Sequence, residues 1–229
     1  MDGKKNLTIK NFIIALTFIL ILVTSILTKQ KFIVIFPVFI SLFIMSLQAE
    51  ANRYAYLAGG INAVVYTGIY IYLGLYASAA SAIFFSFPLQ VVTFITWKKK
   101  AYKKSTVFKK MSSKVRLIVS ASFAICALIL YAVLKAIGSD YAVLDNISTL
   151  VGIMVSVLTL LAYIEYAYLW LLSGVLQVIL NIQVMMNNQP EHITYVIFSL
   201  YSAYCIVMAF INVHKLYNEQ RKELCNKVG

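Results

Sequence analysis

The chain has 229 residues, of which 62% are hydrophobic and only 12% are charged, and its formal net charge is +12. Soluble domains carry about 25% charged residues, so this composition excludes an ordinary soluble domain and predicts a protein embedded in a membrane. A membrane-spanning helix takes about 17 to 25 residues. A chain of this length therefore has room for many spans and none for a separate soluble domain.

Apolar segments separated by charged or turn-forming gaps predict an all-α integral membrane protein with eight transmembrane helices. The first segment follows Lys4, Lys5 and Lys10, as in a signal peptide, but the sequence SILTKQK behind it lacks the small-residue cleavage pattern. We therefore expect a retained first helix. The predicted spans are 11–28, 32–48, 55–75, 78–97, 116–137, 145–163, 167–187 and 192–213.

Lysine and arginine residues are distributed unevenly between the predicted loops. If the basic segment 97–116 lies in the cytoplasm, seventeen of the twenty lie on the cytoplasmic side, and only Lys29, Lys31 and Lys135 lie outside. This is the bias of the positive-inside rule, and it predicts that both termini are cytoplasmic. Orientation and contact with anionic lipid thus account for the positive charge, and nucleic acid is not expected as a partner.

A weak internal repeat occurs at an offset of 115 residues. Spans two to four and spans six to eight would form two units that run in the same direction, joined by span five. Chance similarity is the alternative explanation of so few matches. The matched pairs are Glu50 with Glu165, Gly59 with Gly174, Asn62 with Gln177, and Tyr66 with Asn181.

Polar and aromatic side chains recur at helical spacing inside the predicted spans. Buried amides without hydrogen-bond partners are costly, so these stripes are expected to face other helices, water or a ligand. Packing between helices is one explanation; a pathway for an uncharged polar solute with a planar ring is the one we favour. The stripes are Asn62, Tyr66 and Tyr70; Gln90, Thr93 and Trp97; Trp170, Ser173, Gln177 and Asn181; and Tyr195, Ser199 and Ser202.

Ionisable side chains fall at the ends of the predicted spans and not in their middles. Coupled pumps generally need an ionisable group at depth, so we expect uncoupled, downhill transport. The sequence also lacks metal-ligand spacing, a phosphate-binding glycine loop and the usual hydrolase motifs. We therefore expect no enzyme activity, no metal and no cofactor.

Several motifs resemble the PnuC-type vitamin and nucleoside transporters, which are known for nicotinamide riboside uptake. In the first half these are INAVVYTGIY from residue 61, LYAS from 75, FPLQ ending at Gln90, and WKK from 97. In the second half they are LLAYIEYAYLW from 160 and the closing HK at 214–215. The resemblance covers about residues 32–216.

The resemblance implies a SWEET-like core of two parallel three-helix units joined by a linker helix, often assembled as a homotrimer. It also implies facilitated diffusion in a bacterial inner membrane, with a cytoplasmic kinase that traps the imported solute by phosphorylation. The implied partition is an amino-terminal tail and extra helix (1–31), a first repeat (32–97), a basic loop and linker helix (98–140), a second repeat (141–216) and a cytoplasmic tail (217–229).

Functional positions carry over from the family where the residues match. Gln90 and Trp170 align with positions that line the riboside site, Asn62 aligns with an amide of the first repeat, and Trp97 matches the tryptophan that ends the fourth span. The sequence departs from the family at Thr93-Phe94, where the family has Gly-Trp, at Ala167, where it has Trp, and at Gly174, where it has Asn.

These observations predict a membrane transporter that imports nicotinamide riboside or a related riboside or vitamin. Because the departures remove an indole and an amide, thiamine and a deoxynucleoside are alternative solutes, and a non-transporting membrane scaffold is the alternative of another class. The predicted solute-binding residues are Asn62, Tyr66, Gln90, Phe94, Trp97, Trp170, Gln177 and Asn181. Pro88 and Gly174 are candidate flexing points.

Overall fold

A computed structural model of the chain describes residues 2–72, 79, 82–136, 142–186 and 192–228. The described residues are mainly helical, as predicted. The helices are α1 (Asp2–Leu27), α2 (Phe32–Ala49), α3 (Tyr54–Tyr72), α4 (Phe87–Lys99), α5 (Ser113–Ala136), α6 (Ala142–Leu160), α7 (Tyr166–Met186) and α8 (Ile193–Val228). A short hairpin, β1 (Ala101–Tyr102) and β2 (Ser105–Thr106), lies between α4 and α5.

Each helix overlaps one predicted span, but some boundaries differ. A π-helical turn, Ala82–Ser86, runs directly into α4. Pro88 is the second residue of α4, so the wider π turn directly precedes the position that has no N–H to donate. Residues 217–228, expected to form a separate tail, continue α8. The LYAS motif at 75–78 lies outside the described residues.

Six helices form a closed ring. Helix α3 packs against α2 and α4, and α7 packs against α6 and α8. The ring closes because α4 also packs against α6, and α2 against α8. Helix α5 packs against α6, while α1 packs against α2 and α8. We call the end that carries Arg53, the segment 98–116 and Lys215 the basic end, and the opposite end the far end.

Two turns at the basic end have the same backbone geometry. Ala51 after α2 and Ala162 after α6 both adopt positive φ, of 49° and 56°. The N–H of Asn52 donates to Leu47 O, and in the same way the N–H of Tyr163 donates to Leu158 O. This is the Schellman pattern that ends many helices. The two similar turns lie 111 residues apart, about one helical turn less than the offset of 115 predicted from the sequence.

The segment between α4 and α5 closes the basic end of the ring. Its backbone bonds to Arg53 in the α2–α3 turn and, through Lys109, to Ala162 and Ile164 in the α6–α7 turn. It also binds the extension of α8, where the buried Gln220 accepts the N–H of Phe108 at 2.9 Å and donates to Thr106 O at 2.9 Å. Neither this hairpin nor its docking to α8 is indicated by sequence periodicity.

Charged contacts reinforce the docking of α8. Lys103 Nζ lies 2.7 Å from Glu219 Oε2, and the hydroxyl of Tyr102 donates to Glu223 Oε1 at 2.6 Å. The hydrogen bond to Lys103 lowers the pKa of Glu219, and the same bond raises the pKa of Lys103. Both groups are therefore held charged across the neutral range.

Within the described residues, four stretches of helix are long and apolar enough to cross a membrane, judged by length and composition: Ile9–Leu27, Ser113–Val133, Tyr166–Met186 and Ile193–Asn226. Ile35–Ala49 and Leu150–Leu160 are apolar but shorter. Helix α4 has 13 residues, or about 20 Å at 1.5 Å per residue, against a hydrocarbon layer of about 30 Å. The count of eight spans therefore stays a prediction.

Helix α1 bridges α2 and α8 on the outside of the ring. Lys10 pairs with Glu50 at the basic end, and Gln30, just after α1, donates to Thr194 Oγ1 at 3.0 Å at the far end. Ile21 between them is fully buried. Helix α1 thus holds α2 and α8 together from outside the ring.

Candidate solute-binding site

Two cavities open between helices of the ring, and their walls share Met45 and Gln90. The basic-end cavity has a volume of about 210 Å³, and the far-end cavity one of about 420 Å³. Together they fall within the roughly 300–1,000 Å³ of small-molecule pockets. Polar and aromatic side chains of the basic-end cavity include Gln48, Tyr56, Thr93, Ser156, Trp170 and Ser173; those of the far-end cavity include Ser41, Asn62, Tyr66 and Ser86.

Asn62 lines the far-end cavity and carries a buried acceptor oxygen. The hydroxyl of Ser41 donates to Pro37 O at 2.8 Å, so it can only accept from Asn62 Nδ2, which lies 3.0 Å away. The orientation of the amide follows from this network. Its Oδ1 is buried and has no hydrogen-bond partner among the described residues.

Gln90 presents a second acceptor where the two cavities meet. Its Oε1 is also buried without a hydrogen-bond partner in the described part of the chain. The side chain lies directly over Gly59 of α3, where an added Cβ would stand 2.9 Å from both Cδ and Oε1 of Gln90. The absence of a side chain at Gly59 therefore lets the amide occupy this position.

Aromatic rings line and close the basic-end cavity. Trp170 lies in its wall, with its ring centroid 6.2 Å from that of Tyr166. Below it, Tyr56, Trp97, Phe108 and Tyr166 form a buried cluster that we call the aromatic floor. The floor separates the cavity from the basic end.

Trp97 belongs to this floor and lines neither cavity. It is fully buried, its indole N–H donates to Thr159 O at 2.8 Å, and its ring packs edge-on against Tyr56 and Phe108 at 4.7 and 5.5 Å. The structure therefore gives Trp97 a supporting position, where the sequence pattern had indicated a direct solute contact.

Three other predicted residues lie away from the two cavities. Phe94 packs against the ring of Tyr54, with centroids 5.8 Å apart. Gln177 is exposed, and Asn181 donates to the backbone O of Gln177 at 2.8 Å within α7. The structure thus brings together Asn62, Tyr66, Gln90 and Trp170 and leaves the other predicted side chains outside the cavity walls.

The cavities are polar but uncharged. Among the described residues that line them, none is Asp, Glu, Lys, Arg or His. Over the described ranges of the chain, no group of three or more His, Cys, Asp or Glu side chains could hold a metal ion. The walls offer amides, hydroxyls and aromatic faces, which can bind a neutral or delocalised polar ring.

Sequence analysis missed wall residues from α2 and α6. Ser41 and Gln48 from α2, and Ser156 and Thr159 from α6, line the cavities. Neither helix was among the stripes that the sequence analysis recognised. The available signal was spacing: Ser41 and Gln48 are seven residues apart, and Ser156 and Thr159 three, so each pair lies on one helix face.

The comparisons with known proteins agree with this architecture. The family profile described as nicotinamide mononucleotide transporter matches residues 31–214. A solved structure described as the crystal structure of the vitamin B3 transporter PnuC has the same fold, with a TM-score of 0.71 and 19% sequence identity, and the match covers 92% of each chain. No curated protein matches the chain significantly. The chain is thus a multi-pass membrane transporter and not an enzyme, and it belongs to the nicotinamide mononucleotide transporter (PnuC) family.

Proposed function

We propose that the protein imports nicotinamide riboside, or a closely related riboside or vitamin, by facilitated diffusion. Thiamine and a deoxynucleoside remain the alternative solutes. The observation that carries the proposal is the pair of buried amide oxygens, Asn62 Oδ1 and Gln90 Oε1, in side chains that line the cavities of the ring. Neither oxygen has a hydrogen-bond partner in the described part of the chain. A buried acceptor without a partner costs about 1–3 kcal/mol, so a solute that donates hydrogen bonds there would be stabilised.

The chemistry of the walls favours a particular kind of solute. A carboxamide N–H or a sugar hydroxyl can donate to Asn62 and Gln90, and a planar ring can stack on Trp170. Nicotinamide riboside carries all three features, and its ring charge is delocalised. A phosphorylated solute fits less well, because none of the described wall residues is cationic.

A two-unit arrangement of the ring supports alternating access. Residues 32–97 would form one unit and 141–216 the other, with 98–140 as connection and linker helix and 1–31 as the added helix. Trp97 of α4 donates to Thr159 O at the end of α6, and Asn212 of α8 donates to Ala49 O at the end of α2. Each unit thus caps the other in an equivalent way, and rocking of one against the other would open either end.

The proposed orientation places the basic end and both termini in the cytoplasm of a bacterial inner membrane. The aromatic floor and the docked hairpin would then form the cytoplasmic barrier, which must open to release solute. With no Asp, Glu, Lys, Arg or His side chain among the described wall residues, the gradient of the solute would drive transport, and a cytoplasmic kinase would trap it. A homotrimer in the lipid bilayer is the proposed assembly.

Liposomes that contain the purified protein test the proposal. We expect labelled nicotinamide riboside to equilibrate without accumulating, and to accumulate only when ATP and a riboside kinase are enclosed. A sodium or pH gradient should not change the rate. Parallel measurements with thiamine, riboflavin and deoxynucleosides rank the alternative solutes. If the protein produced no flux of any of these compounds, transport would be contradicted and the non-transporting scaffold would be favoured.

Replacing Gly59 by alanine is expected to lower solute affinity about fivefold without loss of stability. The new Cβ would displace the amide of Gln90 and so remove a hydrogen bond worth about 1 kcal/mol. Alanine also favours helix over glycine by about 1 kcal/mol. Equilibrium binding and thermal unfolding measure the two effects.

The neighbouring Gly60 is the matched control. A Cβ there would meet Val91 at 3.6 Å and Gln90 Cβ at 3.8 Å, which are ordinary contacts. Gly60→Ala should therefore gain the same helix propensity and keep full affinity. Equal loss of affinity in both variants would contradict the role of Gly59.

A further inference from the structure

A lateral crevice lies at the basic end, apart from the two cavities of the ring. It has a volume of about 560 Å³ and lies between α5 on one side and α7 and α8 on the other, with α6 behind. Its apolar walls include Val119, Met154, Leu158 and Leu169. None of the residues in the window Ser113–Val133 of α5 is buried, so this helix leaves the side of the crevice open.

The rim of the crevice is basic. Lys110 and Arg116 both line it and both are exposed. Arg116 lies 3.4 Å from Glu165 Oε1, but the Glu165 side chain is only 15% exposed, against 54% for Arg116. The backbone N–H of Met111 also donates a hydrogen bond to Glu165 Oε1, at 3.0 Å. The carboxylate therefore contacts Arg116 from the buried side and leaves the outer face of the guanidinium exposed. Lys110 lines the same rim and has no ion pair among the described residues.

The crevice changes from a basic rim to apolar walls, which matches the anionic head group and the apolar acyl chains of a phospholipid at a membrane interface. Basic pockets between membrane helices on the cytoplasmic side bind anionic head groups. A free phosphate compound would not need the apolar walls. We infer that the crevice binds an anionic phospholipid, with its phosphate between Lys110 and Arg116 and an acyl chain against Val119 and Leu169.

Thermal unfolding in a neutral detergent tests this inference. Phosphatidylglycerol at about a hundredfold excess over its Kd should raise Tm by about 5 °C, and phosphatidylcholine with the same chains should not. The double variant Lys110→Gln/Arg116→Gln should lose more than half of the shift. The matched control Lys98→Gln/Lys99→Gln removes the same charge from exposed positions of the basic segment and should keep it.

A second variant separates lipid binding from the ion pair with Glu165. Ser120 is exposed and lines the crevice, so Ser120→Trp should fill it, keep both cations and abolish the lipid shift with little change in Tm without lipid. Three results would overturn the inference: equal shifts with phosphatidylcholine, a full shift with glycerol phosphate alone, or a shift that occurs only with a change of oligomeric state. The last result would assign the crevice to a second copy of the chain.

Discussion

Replacing Gln90 by alanine is expected to lower solute uptake by about ten- to a hundredfold while leaving the amount of folded protein unchanged. The reason is that Gln90 Oε1 is buried between the two cavities without a partner among the described residues. In the variant, a solute group that donates to this oxygen would lose its hydrogen bond inside the protein, at a cost of about 1–3 kcal/mol. The folded chain without solute would lose no hydrogen bond to that oxygen.

Gln177→Ala provides the matched control for this experiment. It removes the same side chain from a ring helix, but Gln177 is exposed and lies outside both cavity walls. We expect uptake and membrane abundance of this variant to equal those of the unaltered protein. Comparable losses of uptake in both variants would show that the solute path follows the whole stripe of α7, as the sequence alone predicts.

The contrast between Gln90 and Gln177 shows what periodicity can predict. Spacing along a helix identifies the face on which side chains lie, and Trp170 and Ser173 of the α7 stripe do line the basic-end cavity. Spacing carries no information on how far along the helix a cavity extends, because that extent depends on how other helices pack. Gln177 and Asn181 continue the stripe toward the far end, beyond the two cavities of the described residues.

The helices themselves follow closely from the sequence, since long apolar segments and basic loops identify them independently of packing. The hairpin was not predictable in the same way, because its two-residue strands are too short to show alternation. Its position depends on Gln220, a polar residue more than a hundred positions away. Such a contact between distant segments leaves no local pattern.

The second large effect is expected at Trp97, and it concerns stability. Removal of a buried aromatic side chain costs about 3–5 kcal/mol, and Trp97 is fully buried between Tyr56 and Phe108 in the aromatic floor. At about 2–4 °C per kcal/mol for a chain of this size, Trp97→Ala should lower Tm by roughly 10 °C. Trp97→Phe should cost less, because a phenyl ring leaves a smaller cavity than a methyl group does.

A comparison with Trp170 distinguishes support of the floor from contact with solute. Trp97→Phe should bind nicotinamide riboside with unchanged affinity and unfold at a lower temperature, since Trp97 does not line the cavities. Trp170→Phe should lower the affinity, because the smaller ring has less surface to stack on the solute in the cavity wall. It should change Tm little, because Trp170 is only partly buried. Equilibrium binding and thermal unfolding of both variants test this comparison. A loss of affinity in Trp97→Phe at unchanged Tm would indicate that Trp97 contacts the solute directly.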